Sequence, residues 1–255
     1  MKHLQTLLVF LVLVFSYQFS IAQSNTTLWY NKPAEYFEET LVLGNGKNGA
    51  SVFGGVASDQ IYLNDATLWS GEPVNPNMKP EAYKHIPEIR EALFSEDYKT
   101  AEKLNKKIQG KFSESYAPLG TMFINFSHKD NYQNYRRILS LEDAIATVSY
   151  NLDGVQYTRE YFISYPDKVM VIKLSASKKA SLSFDVKFNS LLKYSGTIST
   201  DVLQIDGYAP YHAAPNYWND PDPVRFDKNK GTRFSTYFKI KNKGGVQSLF
   251  RQFIP

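Results

Sequence analysis

The sequence predicts a mainly β protein, a large antiparallel β-sandwich with a short helical insertion. The clearest evidence is an alternation of apolar and polar residues over 146–152, followed by Asp153-Gly154 and a second alternating run over 155–163. Such alternation is typical of strands with one buried face, and Asp-Gly is a strong two-residue hairpin turn. Many short runs of this kind, separated by turn residues, favour a sandwich.

The first 22 residues have the pattern of a secretory signal peptide. Lys2 and His3 precede the apolar run Leu7–Phe15, and Ser20-Ile21-Ala22 provides small residues before a cleavage bond after Ala22. A basic start, a short apolar segment and a small-x-small end define such signals. The apolar run is too short to span a bilayer. We therefore expect cleavage after Ala22 and a secreted, periplasmic protein with no membrane association after cleavage.

The sandwich domain is expected over residues 25–245, and Leu28-Trp29-Tyr30 opens it. The run from Gly44 to Gly49 fits G-x-G-x-x-G, but β-like sequence follows it where a dinucleotide site requires a helix. We interpret it as a glycine-rich turn. The two runs that come next, Ala50–Val56 and Gln60–Leu63, are joined by the polar turn Ala57-Ser58-Asp59 and predict a β-hairpin.

Two short helices are predicted between residues 86 and 109. Pro87 suits the first turn of one helix, and Ser95 is expected to cap the second. Apolar residues recur at helical spacing at Tyr98, Ala101, Leu104 and Ile108. Because helices here interrupt a β chain, we expect an insertion that packs on one sheet.

The second half of the chain has the patterns of further strands. Predicted strands cover Thr121–Phe126, Arg137–Leu141, Val169–Leu174, residues 182–188 and Thr232–Lys241. The run Val169–Leu174 is more continuously apolar, which predicts a more buried strand. Residues 208–230 form a long loop that is rich in proline and aromatic residues, including Trp218. Loops of this length inside a compact domain are usually functional or disordered, and the aromatic residues favour function.

The composition argues against several classes of protein. The net charge of +4 is dispersed, and no basic run of the kind that binds nucleic acid is present in the sequence. The chain contains no Cys, which excludes disulfides and Cys-ligated metals. Its four His residues lack metal-binding spacing. We therefore expect no cofactor, no metal and no nucleic-acid partner.

Four sequence blocks occur together in one order: LGNGKNGASVFGG, IYLNDATLWSG, PEIREALFSEDYKTAE and YAPLG. Together they closely resemble the N-terminal domain of glycoside hydrolase family 95, the inverting α-L-fucosidases. The resemblance covers roughly residues 28–241 and implies a large antiparallel sandwich. It also implies a role in hydrolysis of fucosylated glycans, with the acid and base in an (α/α)6 barrel that follows the sandwich. We expect the catalytic barrel to be missing from this truncated chain, so no catalytic residue is assigned and the chain alone is expected to be inactive.

Residues 246–255 are expected to be a tail that departs from the family pattern. The candidates for contact with substrate or barrel are Asn64, Asp65, Trp69 and Trp218. Asp65 and Glu72 flank Trp69, but carboxylates in a loop are more often solvated or capping groups. Trp69 is either a wall of the active site or an interdomain packing residue, since Trp is usually well buried. The alternative function is a free-standing secreted carbohydrate-binding module.

Overall fold

A computed structural model describes residues 26–128, 131–199 and 201–248. The predicted signal segment, residues 1–22, and the end of the predicted tail lie outside the described residues. The described elements, in chain order, are β1 (Thr27–Tyr30), β2 (Leu41–Gly44), β3 (Asn48–Val52), β4 (Ser58–Asp65), α1 (Ile86–Phe94), α2 (Tyr98–Ile108), β5 (Gly120–Phe126), β6 (Gln133–Ser140), β7 (Ile145–Leu152), β8 (Val155–Ile163), β9 (Met170–Ala176), β10 (Phe184–Asn189), β11 (Lys193–Ser199), β12 (Val202–Tyr208), β13 (His212–Ala213), β14 (Val224–Arg225) and β15 (Arg233–Lys239).

Two five-stranded antiparallel sheets form the body of the fold, which confirms the predicted β class. One has the strand order β1-β6-β7-β8-β9 and the other β10-β5-β4-β3-β2. Alternate residues of both sheets point into one shared apolar core, whose most buried members include Leu41, Val52, Ile61, Ala146 and Val148. The core therefore lies between the sheets, as the alternation of apolar residues requires.

The β7–β8 hairpin has the predicted two-residue turn. Leu152 pairs with Val155, and Asp153 and Gly154 both have positive φ, at 51° and 73°. Positive φ at both central residues is the geometry of a type I′ turn, which matches the twist of the flanking strands. The Asp-Gly sequence thus fixes the register of this hairpin.

The β3–β4 hairpin is also present, but Asp59 does not lie in its turn. Val52 pairs with Ile61, the chain reverses over residues 53–57, and Asp59 is a fully buried residue of β4. The prediction of a polar turn at Ala57-Ser58-Asp59 is therefore wrong by two residues. Asp59 can be buried because a cation and several hydrogen-bond donors meet it inside the core.

The partner of Asp59 is Arg159 on β8, which is 2% exposed. Arg159 Nη1 lies 3.4 Å from Asp59 Oδ2, and Arg159 Nη2 donates to Val56 O at 2.7 Å and to the Tyr150 hydroxyl at 2.7 Å. The Tyr161 hydroxyl donates to Asp59 Oδ2. Buried charges need this degree of pairing, because an unpaired charge in an apolar core is very costly.

Strand β9 is less buried than its apolar run predicts. It is the last strand of its sheet, most of its side chains are half-buried, and Val169 just before it is 47% exposed. An edge strand has a neighbour on one side only, so a continuous apolar run does not guarantee burial. The prediction of a more buried strand here is wrong.

The two helices lie where the sequence predicts them, but their surroundings differ. Asp97 caps α2 by accepting a hydrogen bond from Thr100 N at 3.0 Å, so the cap predicted at Ser95 is wrong. Within the described residues, α1 and α2 pack mainly on each other and on the 3-10 turn Ala82–His85, not on a sheet. Their buried residues are the small Ala92 and Ala101, which allow close helix–helix contact.

The strands after β10 build a third sheet, which the sequence pattern did not resolve. It is antiparallel and has the order β11-β12-β15. The chain between β12 and β15 is the long predicted loop, and the two-residue pair β13–β14 closes it at its base. Across the described ranges, the structure contains no helix with the length and apolarity needed to cross a membrane.

Candidate functional site

Three segments that are distant in sequence meet at the end of the second sheet where β4 finishes and β5 begins. They are the Trp69 loop (residues 66–72), the central segment (residues 111–119) and the Trp218 loop (residues 209–232). Backbone hydrogen bonds join them: Ser70 N donates to Ser115 O at 2.8 Å, and Gly71 N donates to Pro210 O at 3.0 Å. We call this meeting point the junction. It brings together both tryptophans that the sequence predicts as candidates.

Asp65, the last residue of β4, directly precedes the Trp69 loop and acts as a turn-forming residue. Its Oδ1 accepts hydrogen bonds from Thr67 N at 2.8 Å and from the Thr67 hydroxyl at 2.6 Å. Its Oδ2 lies 3.4 Å from Asn48 Nδ2. This is the Asx-turn chemistry expected of Asp at the end of a strand. The contacts of Oδ1 are those of a carboxylate that caps a turn.

Trp69 is anchored at one edge and open at the other. Its indole Nε1 donates to Ser113 O at 2.9 Å, and its ring meets the Tyr116 ring edge-on at 6.1 Å between centroids. Trp69 is 40% exposed, whereas the preceding Leu68 is 2% exposed. Leu68 therefore fixes the loop in a small satellite core, and Trp69 presents part of its surface outward.

Asn64 reaches the junction through Tyr116. The Tyr116 hydroxyl donates to Asn64 Oδ1 at 2.5 Å, and burial raises the pKa of this hydroxyl. Tyr116 in turn lies against Trp69, so the last residues of β4 and the Trp69 loop share one partner. Asn64 Oδ1 therefore helps to hold the Tyr116 ring in its contact with Trp69.

Trp218 contacts the central segment of the junction through Phe112. Its ring packs against Phe112 with 4.6 Å between centroids, and 47% of the residue is exposed. Trp218, Asn219, Asp220 and Pro221 line a shallow open depression. An exposed aromatic ring beside polar side chains is the kind of surface that contacts sugars or a partner domain.

Four charged or titratable side chains lie beneath Trp218. His212 Nδ1 is 3.0 Å from Glu114 Oε1, and His212 Nε2 is 3.2 Å from Asp220 Oδ2. Arg225 Nη2 donates to both carboxylate oxygens of Asp220, at 2.9 and 2.8 Å. The backbone N–H of Asp222 is the main group that holds the pKa of Asp220 below its usual value, with His212 and Arg225 adding to it.

These contacts leave Asp220 with its oxygens already engaged by protein donors. Within residues 26–128, 131–199 and 201–248, no group of three or more His, Asp or Glu side chains is arranged to hold a metal ion. The contacts of Asp220 with His212 and Arg225 join residues of the Trp218 loop to one another. The sequence did not predict Glu114, Phe112 and Tyr116 as site residues. Their partners lie 44 or more positions away, and no local sequence pattern indicates such contacts.

Comparison with known proteins identifies the family of this domain. A family model described as the N-terminal domain of glycosyl hydrolase family 65 matches residues 28–251. This domain is also found in family 95, so the resemblance predicted from the sequence blocks is confirmed. The match includes all three segments of the junction and, apart from Thr27 of β1, both five-stranded sheets.

Among curated proteins, the chain is 33% identical over 234 residues to alpha-L-fucosidase 2 of Arabidopsis thaliana, covering 87% of this chain and 27% of that protein. It is 27% identical over 201 residues to a probable alpha-fucosidase A of Aspergillus oryzae, covering 74% of the chain and 27% of that protein. A probable alpha-fucosidase A of Aspergillus niger is 29% identical over 162 residues, with 59% and 20% covered. The chain thus spans about a quarter of the length of the relatives it matches.

Proposed function

Because the chain belongs to the family of glycosyl hydrolase family 65 N-terminal domains, we propose that it is the N-terminal β-sandwich domain of an α-L-fucosidase-type glycoside hydrolase. The observation that carries this proposal is the 33% identity to a plant alpha-L-fucosidase over 87% of the chain. Apart from Thr27 at the start of β1, both sheets and the junction lie within residues 28–251, which the family model matches. The substrate class would be fucosylated oligosaccharides or polysaccharides.

The proposed chemistry is inverting hydrolysis by residues outside this chain. Inversion needs a carboxylic acid and a carboxylate base on opposite faces of the sugar, with space for a water between them. The family resemblance implies that both groups lie in a helical barrel that follows the sandwich. Asp65 is engaged by Thr67, and Asp220 by Arg225, so neither is proposed as the acid or the base.

The proposed contribution of this chain is the exposed face of the junction. Trp69 and Trp218 are each anchored at one edge by the central segment and exposed over about half of their surface. We propose that this face, together with Asn64, contacts the barrel or the sugar at its entrance. Aromatic side chains are suited to both tasks, because they offer a large rigid surface with one polar edge.

We also propose that the protein is exported to the periplasm. The motive is the basic start, the apolar run Leu7–Phe15 and the small residues before the bond after Ala22. N-terminal sequencing of the exported protein is expected to give a chain that begins at Gln23. A mature protein that still begins at Met1 contradicts this proposal.

A second candidate is a free-standing carbohydrate-binding module. The observation in its favour is the depression beside Trp218, where the neighbouring Tyr217 is 82% exposed. A module of this kind would bind glycans without a catalytic partner. It would also lose that binding when Trp218 is removed.

The experiment that separates the two begins with the purified chain, 2′-fucosyllactose and an aryl α-L-fucoside. We expect no fucose release and no glycan binding by the chain alone, and fucose release when it associates with the C-terminal part of a related fucosidase. Trp69→Ala and Trp218→Ala should each reduce the fucose release that this association produces. The matched control is Trp29→Ala, since Trp29 is 59% exposed on β1, in the other sheet.

Each contrary outcome has a specific meaning. Fucose release by the chain alone, surviving further purification, would place the active site inside it. Glycan binding by the chain alone that is lost in Trp218→Ala and kept in Trp29→Ala would favour the binding module.

A further inference from the structure

We propose that Glu114 is the positioning residue that sets the arrangement of Trp69 and Trp218. The consequence for substrate or barrel contact rests on the function proposed above, but the positioning itself is a property of this chain. Glu114 touches neither proposed ligand, so it acts through the two loops that it joins.

The Glu114 carboxylate binds both loops at the same time. Its Oε2 accepts from the Ser70 hydroxyl at 3.0 Å and from Ala213 N at 2.8 Å. Its Oε1 lies 3.0 Å from His212 Nδ1. Ser70 belongs to the Trp69 loop, whereas His212 and Ala213 belong to the Trp218 loop. Glu114 Oε2 therefore accepts hydrogen bonds from Ser70, next to Trp69, and from Ala213, near the start of the Trp218 loop.

The backbone at Glu114 is in a conformation that non-glycine residues adopt infrequently. Its φ is +63°, in the left-handed region. Conformations of this kind persist when the surroundings over-determine them, and they concentrate at functional sites. Here the side-chain contacts with Ser70, His212 and Ala213 hold the residue in place.

Gly71 leaves the space that the Glu114 side chain occupies. Its φ is +111°, and a Cβ placed on it would come within 3.1 Å of Glu114 Cγ. A larger residue at this position would therefore press on the carboxylate-bearing side chain. The sequence Ser70-Gly71 thus supplies both a donor for Glu114 and room for it.

The same central segment contacts both tryptophan rings. Trp69 Nε1 donates to Ser113 O at 2.9 Å, one residue before Glu114. Phe112, two residues before Glu114, packs on Trp218 at 4.6 Å and meets His212 edge-on at 5.7 Å. The Glu114 side chain and the backbone around it therefore connect two rings that lie 149 positions apart in the sequence.

Solvent screening of these contacts is limited. The side chains of Glu114 and His212 are 20% and 17% exposed. Glu72 is a suitable contrast: it lies in the Trp69 loop, its side chain is 41% exposed, and it pairs with Lys230 at 3.3 Å. Both carboxylates link the Trp69 loop to the Trp218 loop, but water screens the exposed Glu72–Lys230 pair, whereas the contacts of Glu114 are largely buried.

The test uses the 255-residue chain labelled with 5-fluorotryptophan and observed by fluorine NMR. The three Trp resonances are assigned with single Trp→Phe variants. We expect Glu114→Gln to shift the resonances of both Trp69 and Trp218 by more than a linewidth and to leave Trp29 unchanged. Glu72→Gln, the matched control, removes only the exposed pair with Lys230 and should shift the Trp218 resonance by less than a linewidth.

A coupling experiment distinguishes positioning from general stabilisation. In the wild-type background, Ser70→Ala should shift the Trp218 resonance, although Ser70 lies in the other loop. In the Glu114→Gln background, the same substitution should no longer do so. His212→Gln should behave reciprocally, shifting Trp69 only when Glu114 is present. A loss of stability alone would not produce this dependence.

Several outcomes overturn the proposal. One is a Glu114→Gln spectrum in which the resonance of neither Trp69 nor Trp218 shifts, or of only one of them. A second is a spectrum in which the Trp29 resonance shifts equally. A third is a Trp218 shift in Ser70→Ala that persists in the Glu114→Gln background. If Glu114→Gln does not fold, absence of a Trp218 shift in Ser70→Ala and of a Trp69 shift in His212→Gln also overturns it. Since the assay contains no glycan and no catalytic partner, it can fail or succeed independently of the fucosidase assignment.

Discussion

Two Asp–Arg pairs have the same chemistry but different surroundings, one inside the sandwich and one in the Trp218 loop. The side chains of Asp59 and Arg159 are 0% and 2% exposed, whereas those of Asp220 and Arg225 are 16% and 37% exposed. The core pair joins β4 to β8 between the sheets. The junction pair joins residues five positions apart within one loop.

The pKa values of the two carboxyl groups are moved in opposite directions. Burial is the main cause that raises the pKa of Asp59, and Arg159 and Tyr161 oppose it. The backbone N–H of Asp222 is the main cause that lowers the pKa of Asp220. An arginine partner therefore does not decide the direction of the pKa shift by itself; burial decides it for Asp59, and the hydrogen bond from the Asp222 backbone decides it for Asp220. We expect the core pair to determine stability and the junction pair to determine local loop geometry.

The largest expected difference between the two pairs is in the free energy of unfolding lost when each arginine is removed. Arg159→Leu leaves Asp59 buried without its cation and removes the donor that Val56 O and the Tyr150 hydroxyl share. Breaking a buried pair in this way costs about 3–5 kcal/mol. Arg225→Leu, the matched control, should cost about 1 kcal/mol or less, because water can solvate Asp220. Urea unfolding measures the free energy of unfolding of both variants. Equal losses of stability would contradict the distinction between the core pair and the junction pair.

A tyrosine from each region sharpens the same comparison. Tyr161→Phe removes the hydroxyl that donates to Asp59 Oδ2 in the core, and leaving that buried acceptor less satisfied should cost about 1–3 kcal/mol. Tyr116→Phe removes the donor to Asn64 Oδ1 at the junction, where the tyrosine is 45% exposed. Its cost should be about 1 kcal/mol or less. A larger loss in Tyr116→Phe, measured by urea unfolding, would reverse the ranking.

Alternation along the strands made much of the fold predictable. It placed Arg159 on the same face of its strand as Tyr157 and Tyr161, and all three are buried. It could not identify Asp59 as the partner, which lies 100 positions away in a sequence that resembles a polar turn. It also could not distinguish an edge strand from a central one, which is why β9 was predicted to be more buried than it is.

The junction was predictable only in part. Trp69 and Trp218 are conspicuous because each is a large aromatic residue in a polar loop. Glu114 is not conspicuous, since its partners Ser70 and His212 lie 44 and 98 positions away. Its positive φ also has no local cause in the sequence, because it depends on contacts that form only when the three segments meet. Such tertiary contacts are the information that local patterns lack.

The smallest expected effect is a difference in how the two carboxylates respond to pH. Asp59 has a folded-state pKa above its ordinary value of 3.8, so the folded state holds this proton more tightly than the unfolded chain. Its contribution to stability is therefore complete below about pH 3.8 and is lost as pH rises through the folded pKa. Asp220 has a folded-state pKa below 3.8, so its contribution is present above that pH and is lost as pH falls.

Substitution of each carboxyl by its amide tests this opposition directly. We expect Asp59→Asn to remove a decline of stability with rising pH above about 3.8, and Asp220→Asn to remove a decline with falling pH below it. Urea unfolding of the wild type and both variants between about pH 3 and pH 7 gives the slopes, and differences between slopes cancel the titration of other groups. Asp59→Asn also lowers stability at every pH, because the amide is a weaker partner for Arg159; the slope, not the level, is the measured quantity. Slope changes of the same sign in both variants would mean that burial does not separate the two pairs, and that their arginine partners dominate in both regions.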